Sequence, residues 1–292
     1  MKAIPNSELI INPDGSIYHL NLKPEHICDT LIFVGDPDRV DLVSSHFDEI
    51  EFTIQKREFK TVIGSYKGLR LNVISTGIGP DNIDIVLNEL DALANIDFET
   101  RTLKPKLRSL RIIRIGTSGS LQKHIPIDRF LISTFGLGLN TLLHSYQTEN
   151  YRNQELENAF ITHTDWPLER GRPYAVKGDE ELLNLFASQE VFQGITATAN
   201  GFYGPQGRSI RIPLKREDLN QKIEQFNWSD QSITNLEMET SAIYGLSAIL
   251  GHRACSLNAI LANRVTGEFS SQPEKTVEEL IQFTLNRLVE KN

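Results

Sequence analysis

An α/β fold with a largely parallel or mixed sheet is predicted by three features of this sequence. Apolar runs of strand length alternate with amphipathic runs of helix length along most of the chain. Several of the apolar runs end at glycine beside charge, as in "LIFVGDPDR", "STGIGPDN" and "RIGTSGS". No Pro/Ser-rich linker and no internal repeat divides the 292 residues, so one domain spanning 1–292 is expected.

In chain order, "LIFVG" (31–35) reads as a buried strand stopping at the turn "DPDR", and "RVDLVSSHF" has helical spacing with Asp38 as its N-cap. Residues 51–76 read as strands with a turn at "YKG". In 80–96, Ile83, Leu87, Leu90 and Ala94 share one helix face, and Pro80 and Asp81 suit the helix start. Strands follow at 111–116, 129–134, 195–199 and 254–263, with helices at 240–250 and 275–290. Two polar stretches, 97–110 and 140–160, read as insertions serving as peripheral helices or oligomer contacts.

Composition narrows the class. A hydrophobic fraction of 39% and a charged fraction of 23% are those of an ordinary soluble domain. No apolar run approaches the roughly 20 residues of a membrane span, and the N-terminus lacks the apolar core of a secretory signal. A net charge of −8 argues against nucleic acid as a partner, although a few arginines could still make a local phosphate site. The two cysteines, Cys28 and Cys255, form no CxxC, which points to a reducing, cytoplasmic setting. The seven histidines show no metal-ligand spacing, so no metal site is expected.

The chemistry-bearing stretches lie where strands end. Gly35 and Arg39 leave the first strand, Gly77 and Gly79 run into a helix, and Arg114 enters a Gly-rich turn with Thr117 and Ser118. Glycine lets backbone approach a ligand, helix N-termini offer N–H donors, and arginines add charge-assisted bonds of phosphate geometry. Neither GxxxxGK[ST] nor GxGxxG occurs, which sets triphosphate and dinucleotide sites aside. In "NLEMET", Met238 sits between Glu237 and Glu239 at a helix entrance. Acids there complement the helix dipole, or they present a carboxylate to a polyol such as ribose, with Met238 beneath the sugar. "GFYGPQGR" (201–208) places Gln206 and Arg208 behind two aromatics. Alone, such a stretch reads as a surface turn.

Together with "YHLNL", "KREF" and "ILANR", these motifs occur in an order that resembles the uridine phosphorylase branch of the nucleoside phosphorylase family, from about residue 18 to 265. The resemblance implies a three-layer α/β/α sandwich with a mixed central sheet, assembled as dimers or trimers of dimers with shared active sites. It implies that Gly35, Arg39, Arg114 and Thr117 hold inorganic phosphate, joined by Arg57 from a neighbouring subunit. Glu239 would bind the ribose hydroxyls with Met238 and Glu237 beside it, and His19 would reach across the dimer to the 5′-hydroxyl. A lone surface histidine is the plain alternative for His19. Phe202 would pack on the base, while Gln206 and Arg208 would meet O2, N3–H and O4 of uracil.

The implied reaction is reversible phosphorolysis of uridine to uracil and ribose 1-phosphate, with Arg39, Arg114, Glu239 and Arg208 as its catalytic set. Phosphate is a co-substrate and no cofactor is expected. A monovalent cation such as potassium is left open, because "GIGPDN" replaces a more usual "GIGGPS" near the intersubunit position, whose matching residues here are Glu58, Ile78 and Asn82. Gly207 and Asn200 also stand where family members often carry acids. The alternatives are a purine nucleoside phosphorylase, a nucleosidase such as AMP nucleosidase, or a non-catalytic nucleoside sensor. Against the purine reading, Asn263 of "ILANR" replaces the aspartate that would protonate purine N7. Against a nucleosidase or sensor, the phosphate arginines are present.

Overall fold

Why the first strand is central follows from its composition. Thr30–Val34 (β1) is buried at every position, Leu31 and Phe33 facing one layer of helices and Ile32 and Val34 the other. An unbroken apolar run of this kind suits a strand covered on both faces. The computed structural model describes residues 2–290. After β1 come Glu49–Lys56 (β2), Phe59–Tyr66 (β3), Leu69–Ser75 (β4), Arg111–Ser120 (β5), Arg129–Gly138 (β6) and Tyr174–Lys177 (β7). Val191–Thr198 (β8), Asn227–Trp228 (β9), Gln231–Glu237 (β10), Arg253–Asn263 (β11) and Glu268–Phe269 (β12) complete the sheet.

The order across the sheet is β9-β10-β8-β6-β11-β5-β1-β4-β3-β2, with β7 on β6 and β12 on β11. A further antiparallel pairing of β10 with β5, Asn235 opposite Ser120 and Leu236 opposite Gly119, closes β5, β11, β6, β8 and β10 into a small barrel. Helix α1 (Pro37–Ser44), α4 (Glu180–Phe186) and α7 (Pro273–Glu290) cover one face of the sheet. Helices α2 (Pro80–Asn95) and α6 (Thr240–Leu250) cover the other. Outside the barrel, α3 (Gln154–Thr164) and α5 (Leu219–Gln225) bury Leu156, Phe160, Leu219 and Ile223. This is the expected three-layer α/β/α arrangement with a mixed central sheet.

The predicted stripe on α2 is the one buried: Ile83, Leu87, Leu90 and Ala94 are inaccessible to solvent. Truncating any of the larger ones should cost about 2–5 kcal/mol.

Three readings are corrected, and the helical reading of 140–160 is met in part. The cap of α1 is Asp36, whose carboxylate accepts from Arg39 N at 2.9 Å; Pro37 occupies the first turn, and Asp38 lies inside the helix. "RIGTSGS" is no turn, because β5 runs straight through its glycines, paired with β11 from Arg111 to Ser120. The stretch 97–110 holds no helix. It is a hairpin, Ile96–Asp97 against Thr102–Leu103, whose Asp97 accepts from Glu99 N and Thr100 N; Lys104 then donates to the Leu93 and Ala94 carbonyls and caps α2. Within 140–160, a 3₁₀ turn at Leu142–Ser145 precedes α3, which packs into the core. The short elements β7, α4, α5 and β10 were not anticipated.

Candidate active site

The carboxyl ends of β1, β5, β10 and β11 surround a cavity of about 430 Å³. Gly35, Arg39, Arg114, Thr117, Phe202, Gln206, Arg208, Glu237, Met238 and Glu239 all line it. Four motifs far apart in sequence therefore meet in one place. A larger cavity, about 590 Å³, opens at the opposite end of β1 beside Cys28, Arg70 and Arg108. Its arginines are engaged by surface acids, Arg70 by Glu51 and Arg108 by Asp29, and none of the anticipated residues reaches it.

At one end of the smaller cavity, Arg114 is the organising charge. Its Nη2 lies 2.5 Å from Glu239 Oε2 and 3.3 Å from Glu237 Oε2, and its Nη1 donates to Asn258 Oδ1 at 3.0 Å. Burial works against the guanidinium's charge, but the Glu237 and Glu239 carboxylates outweigh it and hold Arg114 charged more firmly than usual. Gly116 makes this possible, because a side chain there would run into the guanidinium lying across it. Burial pushes the Glu239 carboxyl upward against the pull of Arg114, and Gly79 N donates to its Oε1 at 2.8 Å. Arg39 stands nearby, its charge weakened by burial and supported by Asp36 at 3.1 Å.

The two glutamates of "NLEMET" divide their work. Glu237 is consumed by the first turn of α6, accepting from Glu239 N, from Thr240 N and Oγ1, and from Thr198 Oγ1. Glu239 and Met238 face the cavity without such a capping duty. Asn258 was not anticipated. Its signal was a buried amide inside the otherwise apolar "ACSLNAIL", which needs a partner.

At the other end, "GFYGPQGR" forms a single 3₁₀ turn at Gly204–Gln206. The Arg208 guanidinium lies 3.9 Å from the centre of the Phe202 ring, and its Nη1 donates to Phe202 O at 2.7 Å and to Gln206 Oε1 at 2.6 Å. Gln206 is 2% exposed. Arg264, also not anticipated, donates to the Gln206 carbonyl at 2.7 Å; burial, together with the charge of Arg208, pushes its pKa down to about 10.

His19 and Arg57 do not line this cavity. Arg57 sits at the β2–β3 turn with φ 56°, next to Glu58, which approaches Gly77. His19 Nδ1 is 2.6 Å from Glu89 Oε1. The two belong to one edge of the molecule, where Lys56 donates to the Tyr18 carbonyl and the His19 ring lies 6.5 Å from Phe59.

The pocket brings together Arg39 from a helix, Arg114 from within a strand, a buried glutamate at a helix start and an amide–guanidinium pair, the residue set expected of a nucleoside phosphorylase. The chain belongs to the phosphorylase superfamily, whose family model matches residues 29–291. The uridine phosphorylase of Thermococcus kodakarensis is 30% identical over 270 residues, covering 90% of this chain and 83% of the relative. The uridine phosphorylase of Haemophilus influenzae is 26% identical, covering 93% and 96%. Among solved structures, a Trypanosoma brucei nucleoside phosphorylase described as showing uridine phosphorylase activity superposes with a TM-score of 0.86 at 30% identity, over 97% of this chain and all of that one.

Proposed function

We infer that the protein catalyses the reversible phosphorolysis of uridine. The observation that carries this reading is one cavity lined together by Arg39 of α1 and Arg114 of β5, by Met238 and Glu239, and by the paired Gln206 and Arg208. Uridine phosphorylases among its relatives support it. In the proposed step, phosphate held by Arg39, Arg114 and Thr117 approaches C1′ as the bond to N1 lengthens. A phosphate oxygen forms the new bond to C1′. The electron pair of the broken bond departs with uracil, whose N1 takes a proton from solvent. Arg208 offsets the negative charge growing on the base, and phosphate offsets the positive charge growing on the sugar. No side-chain nucleophile is needed.

The purine alternative is disfavoured by the state of Asn263. Its Nδ2 donates to the Gln122 and Ile125 carbonyls, and its Oδ1 accepts from Val265 N and Thr266 N. It is a buried turn residue with no proton to give a purine. Incubation with uridine, cytidine and inosine, with and without phosphate, tests the reading. Uridine should be cleaved only with phosphate, and at least ~100-fold more efficiently than cytidine, since a site built for one hydrogen-bonding edge leaves groups unpaired against another. Inosine as best substrate, or cleavage without phosphate, would overturn it.

Assembly as a homo-oligomer, in which a neighbour supplies Arg57 and His19 to this cavity, is part of the same proposal. Its support is that both lie together on one edge, away from their own chain's cavity. Inactive Arg57→Ala and Glu239→Ala chains, mixed and reassembled, should then recover about a quarter of full activity, because in a two-fold assembly half the pairs are mixed and each holds one intact pocket. No recovery despite demonstrated subunit exchange would end the shared-site idea. A cytoplasmic setting is likewise proposed from cysteine usage; among the described residues, no helix is long and apolar enough to cross a membrane.

A further inference from the structure

The loop that would read the base draws little support from the core. Phe202 and Tyr203 are about half exposed, and beyond the loop Ile210 and Ile212 lie in solvent. Its own N–H groups are spent internally: Gln206 N and Arg208 N donate to Tyr203 O, and Gly207 N donates to Gly204 O. The carbonyls of Pro205, Gln206 and Gly207 point outward, and each is met by a side chain from elsewhere in the fold. Arg170 Nη2 donates to Pro205 O at 2.9 Å, and Arg264 Nη2 to Gln206 O. Asn220 Nδ2 reaches both Gln206 O at 3.1 Å and Gly207 O at 3.2 Å.

Asn220 differs from Arg170 in what carries it, and it alone holds two of the three carbonyls. It stands in the first turn of α5, between Leu219 and Ile223, which are 3% and 2% exposed in the cluster with Phe160 and Phe226. Its amide is therefore fixed to the core, while the loop it holds is not. Gly207 fits the same arrangement. Its φ of 70° favours glycine, and a side chain there would run into the Asn220 amide.

We propose that Asn220 is a positioning residue for base selection, holding the Gln206 and Gly207 carbonyls so that the Gln206 amide and Arg208 guanidinium face the base in one orientation. The proposal rests on the reading of Gln206 and Arg208 as base-contacting residues. Both flank the peptide groups that Asn220 binds, so a rotation there would swing both side chains together. Misplacement by about an ångström can cost on the order of 100-fold in rate.

Asn220→Asp keeps the size of the side chain and sets an acceptor against two carbonyls. In the full-length protein it should lower kcat/KM for uridine by roughly tenfold to 100-fold. The loss should appear in kcat as well as in KM for uridine, leave KM for phosphate unchanged and shrink the uridine-to-cytidine ratio. Because Asn220 acts through its neighbours, Asn220→Asp should cost little further in an Arg208→Ala background. Asn220→Ala, which adds no charge, carries the same expectation if the aspartate variant folds poorly. Unchanged uridine kinetics and discrimination, or a loss fully additive with Arg208→Ala, would overturn the proposal. If the wild type does not prefer uridine to cytidine, the base assignment itself falls and the clamp with it. If that preference exists and Arg208→Ala removes it while both Asn220 variants behave as wild type, only the clamp is wrong.

Discussion

The two ends of the cavity are built on opposite plans. The end assigned to phosphate and ribose rests on the central sheet: Arg114 lies on β5, Asn258 beside it on β11, and Glu239 at the start of α6, all buried and mutually bonded. The end assigned to the base rests on an exposed loop and on guanidiniums, those of Arg170, Arg208 and Arg264, whose charges are weakened by burial with no carboxylate supporting them among the described residues. The contrast has a chemical sense. A dianion needs fixed, strong charge in a dry place, where preorganised donors act most strongly. A neutral base gains charge only as it leaves, so cations not already neutralised are the useful ones there.

The largest effect should come from breaking the buried end. Arg114→Ala removes the proposed donor to phosphate and leaves Glu237 and Glu239 buried without their cation. Turnover should fall on the order of 1000-fold or more. Thermal stability should fall too, by about 3–5 kcal/mol, as when one member of a buried ion pair is lost. Steady-state assays alongside melting curves separate the two. Near-normal turnover with normal phosphate saturation would remove Arg114 from the phosphate site.

Glu239 sharpens the comparison through pH. Its carboxyl is raised above the ordinary glutamate value of about 4.3 because burial outweighs the pull of Arg114. The ionised form should be the one that accepts ribose hydroxyls, so kcat/KM for uridine should fall on the acid side at a pH above that value. For stability the sign is opposite. A raised folded pKa favours the protonated form, so its contribution is full below the unfolded value and is lost as pH rises through the folded one. Glu239→Gln should therefore be inactive yet no less stable than wild type at neutral pH, with any gain disappearing in acid. Marked destabilisation of Glu239→Gln at neutral pH would show that the Arg114 pair outweighs the cost of burial.

The same contrast explains what could be read in the sequence. The strand ending at Gly35, the glycines before α2 and the α2 stripe depend on local patterns, and they are found where expected. The course of β5 through Gly116 and Gly119 depends on pairing with β11, more than a hundred residues away, and no local pattern carries that information. Of the two glycines read as a turn, Gly116 is instead the space in which Arg114 lies, and Gly119 lies against Arg264. Asn220 was invisible for a related reason, and Asn258 showed only as an amide in an apolar run, because each matters through partners distant in sequence. Asp36 was passed over for Asp38 because two acids flank Pro37 and only geometry chooses the cap. The 97–110 stretch read as an insertion of unknown form because Asp97 and Lys104 act on backbone groups rather than in a periodic pattern.

The smallest effect should be found just past the loop. Ile210 and Ile212 are 82% and 75% exposed, and neither belongs to a hydrophobic cluster. Ser209 Oγ donates to the Ile212 carbonyl at 2.6 Å, so this stretch is held by itself rather than by the site. Replacing both isoleucines with serine deletes no buried area and no hydrogen bond seen in the chain. Stability should change by less than about 0.5 kcal/mol, as for surface substitutions generally. The catalytic constant should hold within about twofold, the rate factor matching such an energy. Melting, turnover and the solution mass of the double variant check this together. A larger drop in stability accompanied by a smaller assembly would mean that a partner subunit covers these side chains. A drop in uridine turnover with mass unchanged would mean that the segment closes over the base, and the exposed end of the cavity would then extend beyond Arg208.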